Sequence, residues 1–142
     1  MPATPIRLDG GEVDLSSRIQ QVSSSPASPS GSSETVVLTL TLAANVAVIS
    51  GVLLFGFAAF TVGTSGASAQ LRIKRTNTSG TAVGDTGATT GGIAAAALVD
   101  MNVSGFDSAP AIPGQVYVLT LTIGSGAAAS TVSAASLVAI IV

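Results

Sequence analysis

From residue 34 onward the charged side chains are Glu34, Arg72, Lys74, Arg75, Asp85, Asp100 and Asp107. Two carboxylates brought together could hydrolyse a glycoside, one as acid and the other as base or nucleophile. Asp85, however, lies in Gly84-Asp85-Thr86-Gly87, and Asp107 precedes Ser108-Ala109-Pro110. In such turns an aspartate ordinarily accepts N–H groups of its own backbone. Asp100, Asn102 and Asp107 offer oxygen ligands of the kind Ca²⁺ takes, but with fewer acids than a calcium loop uses. The chain has no His and no Cys, so a Ser–His or Cys–His pair and a thiolate metal site are excluded. A Ser–Lys pair would have to use Lys74, the only lysine. It sits in Gln70-Leu71-Arg72-Ile73-Lys74-Arg75, where Gln70, Arg72 and Lys74 share one strand face opposite Leu71 and Ile73. An outward polar face is the simpler reading. The Gly-Gly pairs at 10–11 and 91–92 lead into no Lys-Ser/Thr and no helix, unlike a phosphate loop. The expectation is a protein that is not an enzyme and carries neither cofactor nor metal.

The elements that would position these groups are short strands. Thr35 to Leu42 alternates Leu38, Leu40 and Leu42 with Thr39 and Thr41, and Tyr117 to Ile123 repeats the pattern. Period two marks a strand with one face to a core. Candidate strands are 35–42, 46–50, 52–62, 69–76, 80–84, 92–101, 115–123, 127–132 and 135–142, separated by Gly-, Ser- and Asn-rich turns. Within 92–101, Ala94 to Ala97 favours a helix by propensity, but Gly91-Gly92 and the β context favour a strand. The closing strand runs to Val142, which ties that end into a sheet. Eight or so short strands in this length predict an all-β jelly-roll β-sandwich, with residues 34–142 as the β domain and an extended N-terminal arm before it.

Only 8% of the residues are charged, against about a quarter in an ordinary globular chain, and the net charge is −2. Nothing supplies the basic stripe that nucleic acid requires. With 47% apolar residues the chain is too hydrophobic for disorder. A subunit whose surface is covered by neighbours can dispense with a charged coat. Residues 46–62 hold no charge and approach the length of a membrane span. Gly51, Gly56 and Ser50 interrupt them, and no Lys or Arg flanks them to set topology, so the prediction is no membrane segment. Residues 52–62 are apolar on both faces, as in a strand covered by the core on one side and a neighbour on the other. Leu53, Phe55 and Phe57 are therefore the candidate oligomer interface. The remaining aromatics are Phe60, Phe106 and Tyr117, and the core is the expected place for most of the set.

Residues 1–33 hold five of the twelve charged residues and four of the six prolines. Ser23 to Ser33 reads as a Ser/Pro linker. Upstream of it Ile6, Leu8, Val13, Leu15, Ile19 and Val22 are interspersed with charges. These six are the candidate partner-binding residues of an arm that orders against a large partner, the alternative being a disordered leader. The start Met1-Pro2-Ala3-Thr4-Pro5 lacks a basic and then apolar secretory pattern, so synthesis in a cytoplasm is expected.

Gly105 to Leu121, with an Asp, a Pro, a Gly and then Tyr117 opening a threonine-rich strand, resembles the penultimate hairpin of jelly-roll modules in tailed-phage virions. Leu71-Arg72-Ile73-Lys74-Arg75 followed by Asn-Thr-Ser-Gly, and the closing Ala135-Ser136-Leu137-Val138-Ala139-Ile140-Ile141-Val142, resemble them too. The resemblance covers roughly 34–142 and rests on structural punctuation. It implies a tumour-necrosis-factor-like or simple jelly-roll module, homotrimeric with a dimer as the alternative, without enzymatic activity. It further implies a capsid decoration (cement) protein on the outer surface of a bacteriophage virion, bound to the major capsid protein through the 1–33 arm. A head-fibre or tail-fibre tip that binds a receptor is the alternative, although such a tip usually ends a much longer chain.

Overall fold

In the computed structural model the chain is an all-β sandwich. It describes residues 6–8, 11–13, 18–24, 29, 33–44, 50–89, 92–111, 114–124 and 130–142. Ten strands occur among them: β1 (Ile6–Leu8), β2 (Gly11–Val13), β3 (Ile19–Ser24), β4 (Thr35–Thr41), β5 (Val52–Thr61), β6 (Ser68–Arg75), β7 (Ala82–Asp85), β8 (Leu98–Asp107), β9 (Val116–Gly124) and β10 (Thr131–Ile141). β1 and β2 pair with each other as a small antiparallel hairpin. The other eight form two antiparallel four-stranded sheets, ordered β3-β10-β5-β8 and β4-β9-β6-β7. Apart from β6 to β7, each consecutive pair from β3 to β10 crosses from one sheet to the other. That crossing makes the sandwich a jelly roll.

Period-two patterning sets the faces. Ala69, Leu71 and Ile73 of β6 point into the sandwich, and Gln70, Arg72 and Lys74 point out. Leu38 and Leu40 of β4, Leu119 and Leu121 of β9, and Leu137, Ala139 and Ile141 of β10 join them in one continuous core. From β5, Val52, Leu54, Ala58 and Phe60 enter the same core. Burying Phe60 alone contributes about 1.5–3 kcal/mol. Gly56, midway along β5, has a packing reason: a Cβ there would come within 2.6 Å of Leu119 and 2.9 Å of Val103. The missing side chain lets the opposite sheet fill its place. At the open side of the sandwich β7 and β8 pass close together, and a Cβ on Gly105 would meet the Val83 carbonyl oxygen.

Four expectations change. Residues 19–24, read as part of the arm, form an edge strand: Ile19 pairs with Ile140 and Val22 with Leu137 of β10. Six residues with only one large side chain, Val22, packed on the core carry too weak a periodic signal to announce a strand. Residues 92–101 do not form one strand. Ile93 makes an isolated bridge to Ala67, Ala94 to Ala97 turn with Ala96 at φ 60°, and β8 starts only at Leu98. The expected strand end at 101 falls inside β8, and the expected break before 135 falls inside β10, where a bulge between Val132 and Ala134 absorbs the irregularity. No helix among the described residues is long and apolar enough to cross a membrane, and 52–61 is strand rather than span. The candidate strand 46–50 and Leu15 lie outside the described residues, apart from Ser50.

Candidate functional site

Six of the seven charged side chains from residue 34 onward meet in two places. The first joins the two sheets at one end. Asp107 closes β8, and its side chain is fully buried. From the opposite sheet Arg75 grips both carboxylate oxygens, with Nε 2.8 Å from Oδ2 and Nη2 on Oδ1. Tyr117, itself fully buried, donates its hydroxyl to Oδ2 at 2.8 Å. The Ala109 N–H donates to Oδ1 at 3.0 Å. Burial alone would raise the Asp107 pKa, but these donors more than offset it and hold it below the ordinary carboxylate range. Burial, and then the hydrogen bond to a carboxylate, push the Tyr117 hydroxyl well above its usual value. Each Asp107 oxygen thus accepts two hydrogen bonds, which is the condition for a buried charge to be tolerated.

The second place is the outer face of the β4-β9-β6-β7 sheet. Lys74 Nζ lies 2.7 Å from Glu34 Oε2 and also reaches the Thr78 carbonyl. Glu34 Oε1 accepts the Thr120 hydroxyl at 2.6 Å. Arg72 Nε donates to Asp85 Oδ2 at 2.9 Å, and Gln70 and the Gly87 N–H donate to Asp85 Oδ1. Desolvation would raise Glu34 and Asp85, but hydrogen bonds from Lys74 and Thr120 to the one, and from Arg72, Gln70 and Gly87 to the other, lower both. Lys74 is therefore engaged with a carboxylate and a carbonyl.

The suggested oxygen-ligand set dissolves. Asp107 points into the sandwich, while Asp100 and Asn102 sit on the outer side of β8. Among the described residues no three His, Cys, Asp or Glu side chains group to hold a metal. The turn readings of Asp85 and Asp107 fit their Gly87 and Ala109 bonds, yet both also hold a cation from a neighbouring strand. Sequence spacing could not show that, because the arginines arrive through tertiary pairing.

What remains unsatisfied is apolar. On the outer face of the β3-β10-β5-β8 sheet, Phe55 is 46% exposed, Phe106 48% and Ile19 55%. Leu53 and Phe57 are half-buried there. The core takes Phe60 and Tyr117, whereas Phe106, expected there too, joins Phe55 and Phe57 at outward positions of strands whose inward positions are already filled. A shallow depression of about 270 Å³ beside Phe55 is lined by Gly56, Asn102, Val103 and Ser104. Of the six arm residues, Ile6, Leu8 and Val13 belong to the β1–β2 hairpin, and Ile19 and Val22 to β3.

No family model matches the sequence, and no curated protein aligns with it. Solved structures do share the fold. The chain superposes on the VP2 subviral particle structure of infectious bursal disease virus with a TM-score of 0.58, at 14% identity, over 87% of this chain and 33% of that one. A structure of T=1 particles derived from the same virus gives 0.56 at 14% identity, covering 96% of this chain and 36% of that one. The Gt strain of the virus gives 0.55 at 15%, covering 99% and 38%. The chain spans about a third of the length of these viral proteins, and what it shares with them at such identity is the jelly-roll sandwich.

Proposed function

We propose that this chain is a structural virion protein, a jelly-roll building block of a particle's shell. In its finer form the proposal is a decoration (cement) protein that binds the major capsid protein from outside as a homo-oligomer, on a tailed-phage particle. The observation that carries the reading is where the charges go. Glu34, Arg72, Lys74, Arg75, Asp85 and Asp107 are all engaged in ion pairs that tie strand to strand. Large apolar side chains, by contrast, face outward. Such a chain is suited to packing rather than to turnover. Chains of the same fold in viral particles support the direction of the reading.

The candidate oligomer interface stays Leu53, Phe55 and Phe57. The candidate anchor narrows to the residues upstream of β3: Ile6, Leu8, Val13 and Leu15. Ordering a segment there costs about 1–2 kcal/mol per residue in backbone entropy, which a large partner surface can offset. The test is direct. Particles purified from cells that encode the chain should contain it in stoichiometric amount by mass spectrometry, and imaging should place its density on the outer shell. Particles that lack it, or hold it only inside, refute the decoration reading. A chain without residues 1–17 should stay folded but no longer bind particles, and undiminished binding would move the anchor onto the sandwich.

A further inference from the structure

The outer face of the β3-β10-β5-β8 sheet has an order that strand-by-strand reading hides. Pairing registers align three rows across all four strands. The first is Ile19–Ile140–Leu53–Phe106, the second Gln21–Val138–Phe55–Ser104, and the third Ser23–Ser136–Phe57–Asn102. The twelve positions hold no charge, and the first row is apolar from edge to edge. Of the five exposed large hydrophobics among the described residues, Ile19, Phe55 and Phe106 lie in these rows, and Leu98 lies further along the same face, beyond Asp100. Isolated exposed hydrophobics need no explanation, whereas a contiguous patch marks an interaction surface.

We infer that this neutral face packs against the same face of other copies of the chain, sheet upon sheet, with β5 at its centre. The inference rests on the self-association in the proposed function and adds its geometry, bringing in Ile19, Ile140, Val138 and Phe106. Charge selects a second copy. A surface that meets itself must not oppose like charges, and these twelve positions hold none. The opposite sheet, with Arg72, Lys74, Glu34 and Asp85 outward, offers no such neutral self-match. Sheets stacked at about 10 Å would interdigitate Phe55, Phe106 and Leu53 as a sandwich core does.

The chain lacks cysteine, so single cysteines report exposure cleanly. Ser104→Cys lies on the neutral face, and Thr39→Cys on the outer face of the other sheet. In the full-length protein, maleimide labelling at Ser104→Cys should be many-fold slower than at Thr39→Cys, and adding Phe55→Glu should abolish the difference. Sedimentation should report an oligomer for the parent chain and a monomer for Phe55→Glu, with the β circular dichroism spectrum retained. Equal labelling of the two cysteines, or an oligomer that survives Phe55→Glu, overturns the inference. If Phe55→Glu does not fold, the labelling contrast in the parent background decides alone. Particle binding read alongside separates the two ideas: protein that decorates particles while labelling equally at both cysteines sinks this interface but not the proposed function.

Discussion

The two sheets share one core but show solvent opposite outer faces. On β4-β9-β6-β7 the outward side chains include Gln70, Arg72 and Lys74, bound to Glu34 and Asp85. On β3-β10-β5-β8 the corresponding positions are mostly Phe, Leu, Ile, Val and neutral polar residues, with Asp100 toward one end of β8. The strands on both sides follow the same period-two rule, so folding does not require the difference. Under the packing proposed above, it concerns what lies outside each sheet: water for one, another surface for the other. Charges are also unequal in weight. The outer pairs are partly solvated and modest, whereas the Asp107–Arg75–Tyr117 group sits between the sheets, where a missing partner cannot be replaced by water.

The largest effect should come from that inter-sheet group. Asp107→Ala leaves the Tyr117 hydroxyl buried without its acceptor and frees Arg75, and should cost about 3–5 kcal/mol, read as a lowered urea midpoint. A loss below about 1 kcal/mol would place the two kinds of ion pair on the same footing. Next comes truncation. Removing residues 1–17 should leave the melting of the sandwich nearly unchanged. Removing residues 1–24 takes away β3, uncovers Val22's site on the core and the edge of β10, and should lower the melting temperature and promote aggregation. Equal behaviour of the two truncations would return 19–24 to the arm.

The pH profile sharpens the same contrast. Asp107, Glu34 and Asp85 all have lowered pKa values when folded. Their contribution is therefore complete above the unfolded carboxylate range of about 4, and is lost as pH falls through the folded values. Tyr117 is raised, so its contribution holds below its unfolded value of about 10 and falls away above it. Stability should be flat between those limits, and Asp107→Asn should flatten much of the acid limb. An unchanged acid limb in that variant would point to Glu34 and Asp85 instead. The smallest effect is expected on the charged outer face. Arg72→Ala should cost under about 1 kcal/mol, and less in high salt, because its partners are solvated. A salt-independent loss of several kcal/mol would contradict the division drawn here.

The sequence by itself determined the strands with strong alternation. Thr35–Thr41, Ser68–Arg75 and Val116–Gly124 could be read within a residue or two, because period-two burial is a local property. It determined the all-β class and the absence of the usual catalytic pairs. It also singled out 52–61 as a strand apolar on both faces, with Leu53, Phe55 and Phe57 together on one of them. Tertiary structure decided the rest. β3 is a strand only because β10 offers it an edge. Asp107 is a buried inter-sheet ligand rather than a turn residue only because Arg75 and Tyr117 arrive from strands 32 and 10 residues away in sequence. The row Ile19–Ile140–Leu53–Phe106 exists only through pairing register. Alternation is written into neighbouring residues, whereas register, edges and buried ion pairs depend on contacts between distant parts of the chain.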